Sequence, residues 1–175
     1  REFWKLLSHF LDSGITILVQ TVSDLPTITV RGYFSGGSNL DPAGLAGRSQ
    51  LVARALEERV KSHPRWADSA LELHFSPQAQ FLGVEGWTPR DALGDWLGIL
   101  VAALSPEPIP DALLELSRSR QLSVYAQEAT NQDLQAYQRW LGLLFSEEHP
   151  LGRATARYID VTRLLNKQQG DEQLG

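Results

Sequence analysis

An α+β fold, a mainly antiparallel mixed sheet covered by helices, is predicted from the order of the patterned segments. Strand-like runs fall in two blocks, one amphipathic helix separates the blocks, and three helical segments follow the second block without any internal repeat. Helices between and after the strands place them as a layer over the sheet.

The first block begins at the turn Leu11-Asp12-Ser13-Gly14, after which Ile15 to Val19 is a β-branched run of strand length. Residues 21–26 form a connection. Thr27 to Phe34 then alternates, with Ile28 and Val30 on one face and Thr27, Thr29 and Arg31 on the other, and is expected to be the antiparallel partner of the first strand. Ser35-Gly36-Gly37-Ser38-Asn39 breaks the pattern, and Asp41-Pro42-Ala43-Gly44 reads as a turn because Pro presets φ and Gly tolerates angles closed to other residues. From Ala46 to about Lys61, Leu51, Val52, Ala55 and Leu56 make one apolar helical stripe, with Gln50, Arg54 and Glu57 beside it or interrupting it. His63-Pro64 ends this helix.

In the second block, Leu71, Leu73 and Phe75 alternate with Glu72 and His74, and Ala79 to Val84 is expected to pair back as a hairpin after Ser76-Pro77. Thr88-Pro89-Arg90-Asp91 resembles a helix start, with Thr88 as N-cap and Pro89 in the first turn. The buried face of that helix is expected to carry Leu93, Trp96, Leu97, Leu100 and Ala103, ending before Pro106. A third helix opens at Pro110-Asp111 and continues to about Gln127 through Leu113, Leu114, Leu116, Leu122 and Val124. Asn131 is expected to cap a fourth, with Leu134, Tyr137, Leu141 and Leu144 at helical spacing. His149-Pro150-Leu151-Gly152 breaks the chain, a short helix is expected over 154–165, and the polar residues after it read as a tail. The expected organisation is a tail at 1–10, one α+β domain at 11–166 and a flexible tail or linker at 167–175.

Composition narrows the function. A chain of 175 residues can bury roughly 70% of its unfolded surface, enough for a real core. No apolar run approaches the roughly 20 residues of a membrane helix, so a soluble chain without a membrane span is expected. Its net charge of −5 comes from 21 acids against 16 scattered basic residues, which disfavours nucleic-acid binding through phosphates. The basic residues Arg54, Arg59, Lys61 and Arg65 are expected to form a solvated face. Without cysteine there is no disulfide framework, thiolate metal site or cysteine nucleophile. Methionine is absent even at position 1, as expected of a fragment, and REFWKLLSHF lacks the long apolar region of a signal peptide.

Four stretches, LDSGITILVQ, LPTITVRGYFSGGSNLDPAGLAG, the region around RSRQLSVYAQE, and LLFSEEHPLG, occur in an order that resembles the insulinase and pitrilysin family of zinc metallopeptidases, which includes the mitochondrial processing peptidases. Active members carry an inverted zinc motif, H-x-x-E-H, on the helix after the Ala-Gly pair; its histidines bind the metal, its Glu acts as general base, and a distant Glu is the third ligand. Aligning Ala46-Gly47 with that pair puts Gln50 at the first His, Ala53 at the general base and Arg54 at the second His. Counting back from His149 puts the third ligand at about Tyr125, with Glu128 the nearest carboxylate in sequence. The resemblance therefore implies no catalytic residue, no metal ligand and no cofactor in this chain.

Elsewhere the sequence favours structural roles. His9, His63, His74 and His149 lack metal spacing, with His74 expected on the polar face of a strand. Ser35-Gly36-Gly37-Ser38 lacks the Lys of a phosphate-binding loop and reads as a turn, and Glu147-Glu148 reads as solvated. The tryptophans Trp4, Trp66, Trp87, Trp96 and Trp140 are expected to pack in the core or at an interface.

Within the resembled family a catalytic half closes like a clamshell on a similar half that lost its metal. The chain is expected to be the first domain of such a non-catalytic half. Its implied partners are a catalytic zinc-peptidase half, in the same chain or a separate subunit, and an unfolded peptide, with no nucleic acid. The alternatives are a structural scaffold of the same fold, comparable to the core subunits of the respiratory cytochrome bc1 complex, and an active zinc peptidase with unorthodox ligands. Substrate and compartment are not encoded in these patterns.

Overall fold

The computed structural model describes residues 6–22, 25–42, 45, 47–67, 71–128, 130–146 and 149. Strands β1 (Leu6–Phe10) and β2 (Thr16–Gln20) pair antiparallel, from Leu6 opposite Gln20 to Phe10 opposite Thr16. The Leu11–Gly14 turn closes them through Gly14 N–H to Leu11 O and Leu11 N–H to Ile15 O, both 2.9 Å, with Gly14 at φ +83°. The first predicted strand therefore exists, but its partner is β1, drawn from the segment expected to be a tail, and not the strand at 27–34. A tight local turn closes at lower entropic cost than the longer connection through 21–26.

That second strand, β3 (Thr27–Ser35), instead pairs antiparallel along its whole length with β5 (Phe81–Pro89), which also pairs with β4 (Glu72–Pro77). The resulting sheet has the order β3-β5-β4 and contains the predicted β4–β5 hairpin. Alternation works as expected: Leu71, Leu73 and Phe75 are buried, while Glu72 and His74 face out. Gly86 lets the strands close, because a Cβ there would collide with the Glu72 backbone carbonyl.

Two helices cover the inner face. Helix α1 (Arg48–Lys61) contributes Ala53, Leu56 and Val60, and α2 (Leu93–Ala103) contributes Trp96, Ile99 and Ala103, to one core with Leu71, Leu73, Phe75 and Val84. Trp96 is only 1% exposed, and its indole N–H donates to Glu72 O at 2.8 Å, so its polar handle is satisfied within the apolar cluster. Each large side chain in this cluster contributes about 1.5–3 kcal/mol of burial free energy.

The start of α2 differs from the sequence expectation. Thr88 is fully buried in β5 opposite Ile28, and its hydroxyl donates to Pro89 O at 3.1 Å instead of capping a helix. The chain stays extended to Pro89, passes through a 3-10 turn at Arg90–Ala92, and enters α2 only at Leu93. Pairing with β3 holds Thr88 and Pro89 extended, overriding the local capping signal. Leu97 is exposed and Ile99 is buried in its place; with Leu97, Ile99, Leu100 and Val101 in succession, apolar periodicity did not single out one face.

Helix α3 (Asp111–Glu128) packs against α1, and α4 (Gln132–Leu144) follows with Asn131 as its N-cap, the Asn131 Oδ1 accepting from Leu134 N–H at 3.1 Å. The basic residues on and after α1 do not form one solvated face. Arg59 is half-buried and donates to the backbone carbonyls of Ala103, Ser105, Glu107 and Pro108 at 2.7–3.2 Å, tying the α2–α3 connection to α1. Arg65 pairs with Asp95, and Lys61 with Glu58. Among the described residues no helix is long and apolar enough to cross a membrane. The expected helix at 154–165, the tail at 167–175, Trp4 and Glu147-Glu148 lie outside the described residues.

Candidate functional site

The site sits where the first two turns of α1 meet the last turns of α3. Gly47 precedes α1 at φ +94° and has no side chain to cap it, so the buried Asp41 carboxylate does so from the preceding turn. Asp41 Oδ2 accepts from Gly47 N–H at 3.0 Å and Ser49 Oγ–H at 3.1 Å, and Oδ1 accepts from Ser49 N–H at 3.0 Å. This fixes the orientation of Gln50 and the residues after it.

Along α1, Gln50 and Arg54 stand one helical turn apart and are both half-buried, whereas Ala53 is 2% exposed and belongs to the core. Across from them α3 buries not its leucines but Ser117, Gln121 and Tyr125, which recur every four residues. Leu116 is 40% exposed, and Leu113, Leu114, Leu122 and Val124 are half-buried, so the expected leucine face is not the packed one. Hydrogen bonding across the helix pair accounts for the difference. Gln121 Nε2–H donates to Tyr125 Oη at 2.6 Å and to Gly47 O at 3.3 Å, and Tyr125 Oη–H donates to Gln50 Oε1 at 2.7 Å. Ser117 Oγ–H donates to Leu113 O within its own helix at 2.7 Å.

The polar chain runs from α3 to α1 and is made of neutral groups. Burial, above all, holds the Tyr125 phenol above its ordinary pKa, so it remains protonated and able to donate. Gln121 Oε1 is buried without a hydrogen-bond partner among the described residues. Three charges also act on the phenol, Glu128 and the buried Asp41 favouring its neutral form and Arg54 its ionised form. Two turns further along α1, the buried Glu58 carboxylate pairs with Arg120 of α3 and, at 3.2 Å, with Lys61, which pins the helices together.

The alignment implied by the resemblance places Gln50, Ala53 and Arg54 on α1 and Tyr125 on α3, and the structure brings Gln50, Tyr125 and Arg54 to one place. Among the described residues no three His, Cys, Asp or Glu side chains cluster as a metal-binding set. Both oxygens that a metal would need here, Gln50 Oε1 and Tyr125 Oη, are already joined in a hydrogen bond, and the guanidinium beside them supplies no lone pair. The arrangement can hold a polar ligand by hydrogen bonds.

Other singled-out residues lie elsewhere. His9 and His74 are exposed, the His63 ring accepts from Arg65 N–H at 3.3 Å, and His149 stacks on Phe145 at 4.7 Å between ring centroids. Ser35–Asn39 is a turn whose N–H groups are taken up by the β4–β5 hairpin: Gly36, Ser38 and Asn39 donate to Gln80, Gln78 and Ala79 carbonyls. Trp66 packs against the core, Trp87 is half-buried, and Trp140 lies exposed beside Tyr137 on α4. An open groove of about 370 Å³ along another face of α3 is lined by Glu115, Arg118, Ser119, Leu122, Ser123 and Ala126, none of them part of the site. Sequence reasoning missed Gln121 and Ser117; the available signal was their four-residue spacing with Tyr125.

No protein-family profile matches this sequence, and no curated protein matches it. Solved structures do. A peptidase M16 inactive domain from Pseudomonas fluorescens superposes with a TM-score of 0.67 at 13% identity, over 87% of this chain and 38% of that one. A protease from Helicobacter pylori superposes with a TM-score of 0.73 at 12% identity, over 92% of this chain and 41% of that one. At such identities the likeness is one of fold: the chain has the α+β, peptidase-like fold that the sequence predicts. It spans about two fifths of the length of those chains.

Proposed function

We propose that the chain is the first domain of a catalytically inactive half of an insulinase-like zinc peptidase, which pairs with a catalytic half to enclose a peptide-binding chamber. The observation that supports this reading is the Gln50–Tyr125–Gln121 hydrogen-bond chain between α1 and α3, formed by two of the positions that the resemblance aligns with metal ligands. Three substitutions act together. In the alignment that the resemblance implies, Gln50, which accepts from Tyr125, stands for the first His, the buried Ala53 for the general base, and the cationic Arg54 for the second His. The inactive character of the Pseudomonas fluorescens domain supports the same reading. Purification of the native protein with whatever it binds tests it. A partner chain, or a continuation of this chain, that carries H-x-x-E-H and cleaves peptides only when joined to this domain is the expected result. A stable assembly without such a motif would instead establish the scaffold role, and zinc-dependent cleavage by this chain alone would overturn both.

A further inference from the structure

We propose that Arg54, with the Gln50 amide one helical turn before it, forms a carboxylate-binding site where α1 faces α3, which takes an acidic side chain or the C-terminal carboxylate of an extended peptide. The proposal rests on the chamber reading for the identity of the ligand as a peptide, and on the following geometry for its charge. Tyr125 donates to Gln50 Oε1 at 2.7 Å, so the carbonyl end of that amide is committed and its NH₂ end is left as the available donor. Arg54 follows one helical turn later and is half-buried. Among the described residues it makes no ion pair, unlike Arg31, Arg65, Arg118 and Arg120, each of which pairs with a carboxylate.

A half-buried cation without a counter-charge carries a desolvation cost that an incoming anion relieves. Glu128 acts on Tyr125 without an ion pair to Arg54 among the described residues, and Asp41 acts on it too, its carboxylate taken up by Gly47 and Ser49. The groups joined in the hydrogen-bond chain, Gln50, Gln121 and Tyr125, are neutral, so they do not compete for the guanidinium. A planar guanidinium presents two parallel N–H donors that match the two oxygens of a carboxylate, a fit that a neutral amide does not reproduce.

Three peptides separate the possible sources of the carboxylate: an N-acetylated, C-amidated Gly/Ser heptamer with a central Glu, the same peptide with Gln, and the Gln peptide with a free C-terminus. Calorimetric titration into the full 175-residue chain is expected to show at least one carboxylate peptide binding about tenfold tighter than the uncharged one, a ratio typical of a charge-assisted pair. Which of the two gains identifies the source. Arg54→Gln is expected to abolish the advantage and Arg54→Lys to keep part of it. A measurement on the unaltered protein guards against loss of fold: sodium acetate should shift the Arg54 Nε–H resonance and acetamide should not. Equal affinity for all three peptides, no detectable binding of any, an advantage that survives Arg54→Gln, or an unmoved Arg54 resonance would each overturn the proposal. None of these outcomes bears on whether the domain pairs with a catalytic half, which is read from co-purification alone.

Discussion

Replacing Tyr125 by Phe removes one oxygen that both accepts from Gln121 and donates to Gln50, at 2.6 and 2.7 Å. The two partners are affected unequally. Gln50 is half-buried and recovers a bond to water, whereas Gln121 has no exposed surface and keeps only its 3.3 Å bond to Gly47 O. Leaving a buried donor unsatisfied costs about 1–3 kcal/mol, so Tyr125→Phe is expected to destabilise the fold by about 2 kcal/mol. Gln121→Leu behaves differently. It loses the same bond but also removes Gln121 Oε1, which has no partner among the described residues, and it fills similar space. Because two apolar groups facing each other leave no donor unsatisfied, the double variant is expected to lose about 1–2 kcal/mol less than the sum of the single losses. Urea unfolding of the four proteins, with unchanged m values, measures this coupling. Additive losses, or a Tyr125→Phe cost below about 0.5 kcal/mol, would refute the buried network as the reason α3 turns its polar stripe inward.

The same phenol makes stability depend on alkaline pH. Its folded pKa is raised above the ordinary value of 10.0, so its contribution is full below about pH 10 and is lost as pH climbs toward the folded value, because the unfolded chain ionises first. Urea titrations between pH 9 and 12 should therefore fall more steeply for the unaltered protein than for Tyr125→Phe; parallel curves would contradict the assignment. Asp41→Ala strips three hydrogen bonds from the start of α1 and is expected to cost about 2 kcal/mol, with Asp41→Asn costing less, by thermal unfolding. Gly86→Ala drives a methyl into the Glu72 backbone and should cost about 3 kcal/mol or prevent folding, while Gly98→Ala, where the space is open, should be neutral or stabilising.

Much of the fold was legible because its strands and helices obey local rules. The alternation of Leu71, Leu73 and Phe75 against Glu72 and His74 needs no tertiary information, and neither does the Asn131 cap. What failed depends on partners distant in sequence. Thr88 carries a good capping signal, yet nine residues of β3 pair with β5 and hold it extended. The N-terminal residues carry no strong strand pattern, and β1 forms because the Leu11–Gly14 turn folds them back on β2. The site was legible in part. Gln50, Ala53, Arg54 and Tyr125 were all singled out through the resemblance, Tyr125 by the family's spacing back from His149, but Gln121 and Ser117 were passed over because α3 was read by its leucines. A helix that packs on another through hydrogen bonds buries amides and hydroxyls, which hydrophobic periodicity is blind to.

Equilibrium dialysis of the purified chain against zinc, followed by metal analysis, measures whether the α1–α3 site holds a metal. No stoichiometric zinc is expected at the α1–α3 site, and no difference in zinc content between the unaltered protein and Tyr125→Phe. One zinc per chain, lost on replacing Gln50 or Tyr125, would show that the hydrogen-bond chain yields to a metal and that the domain retains the chemistry this reading says it has given up.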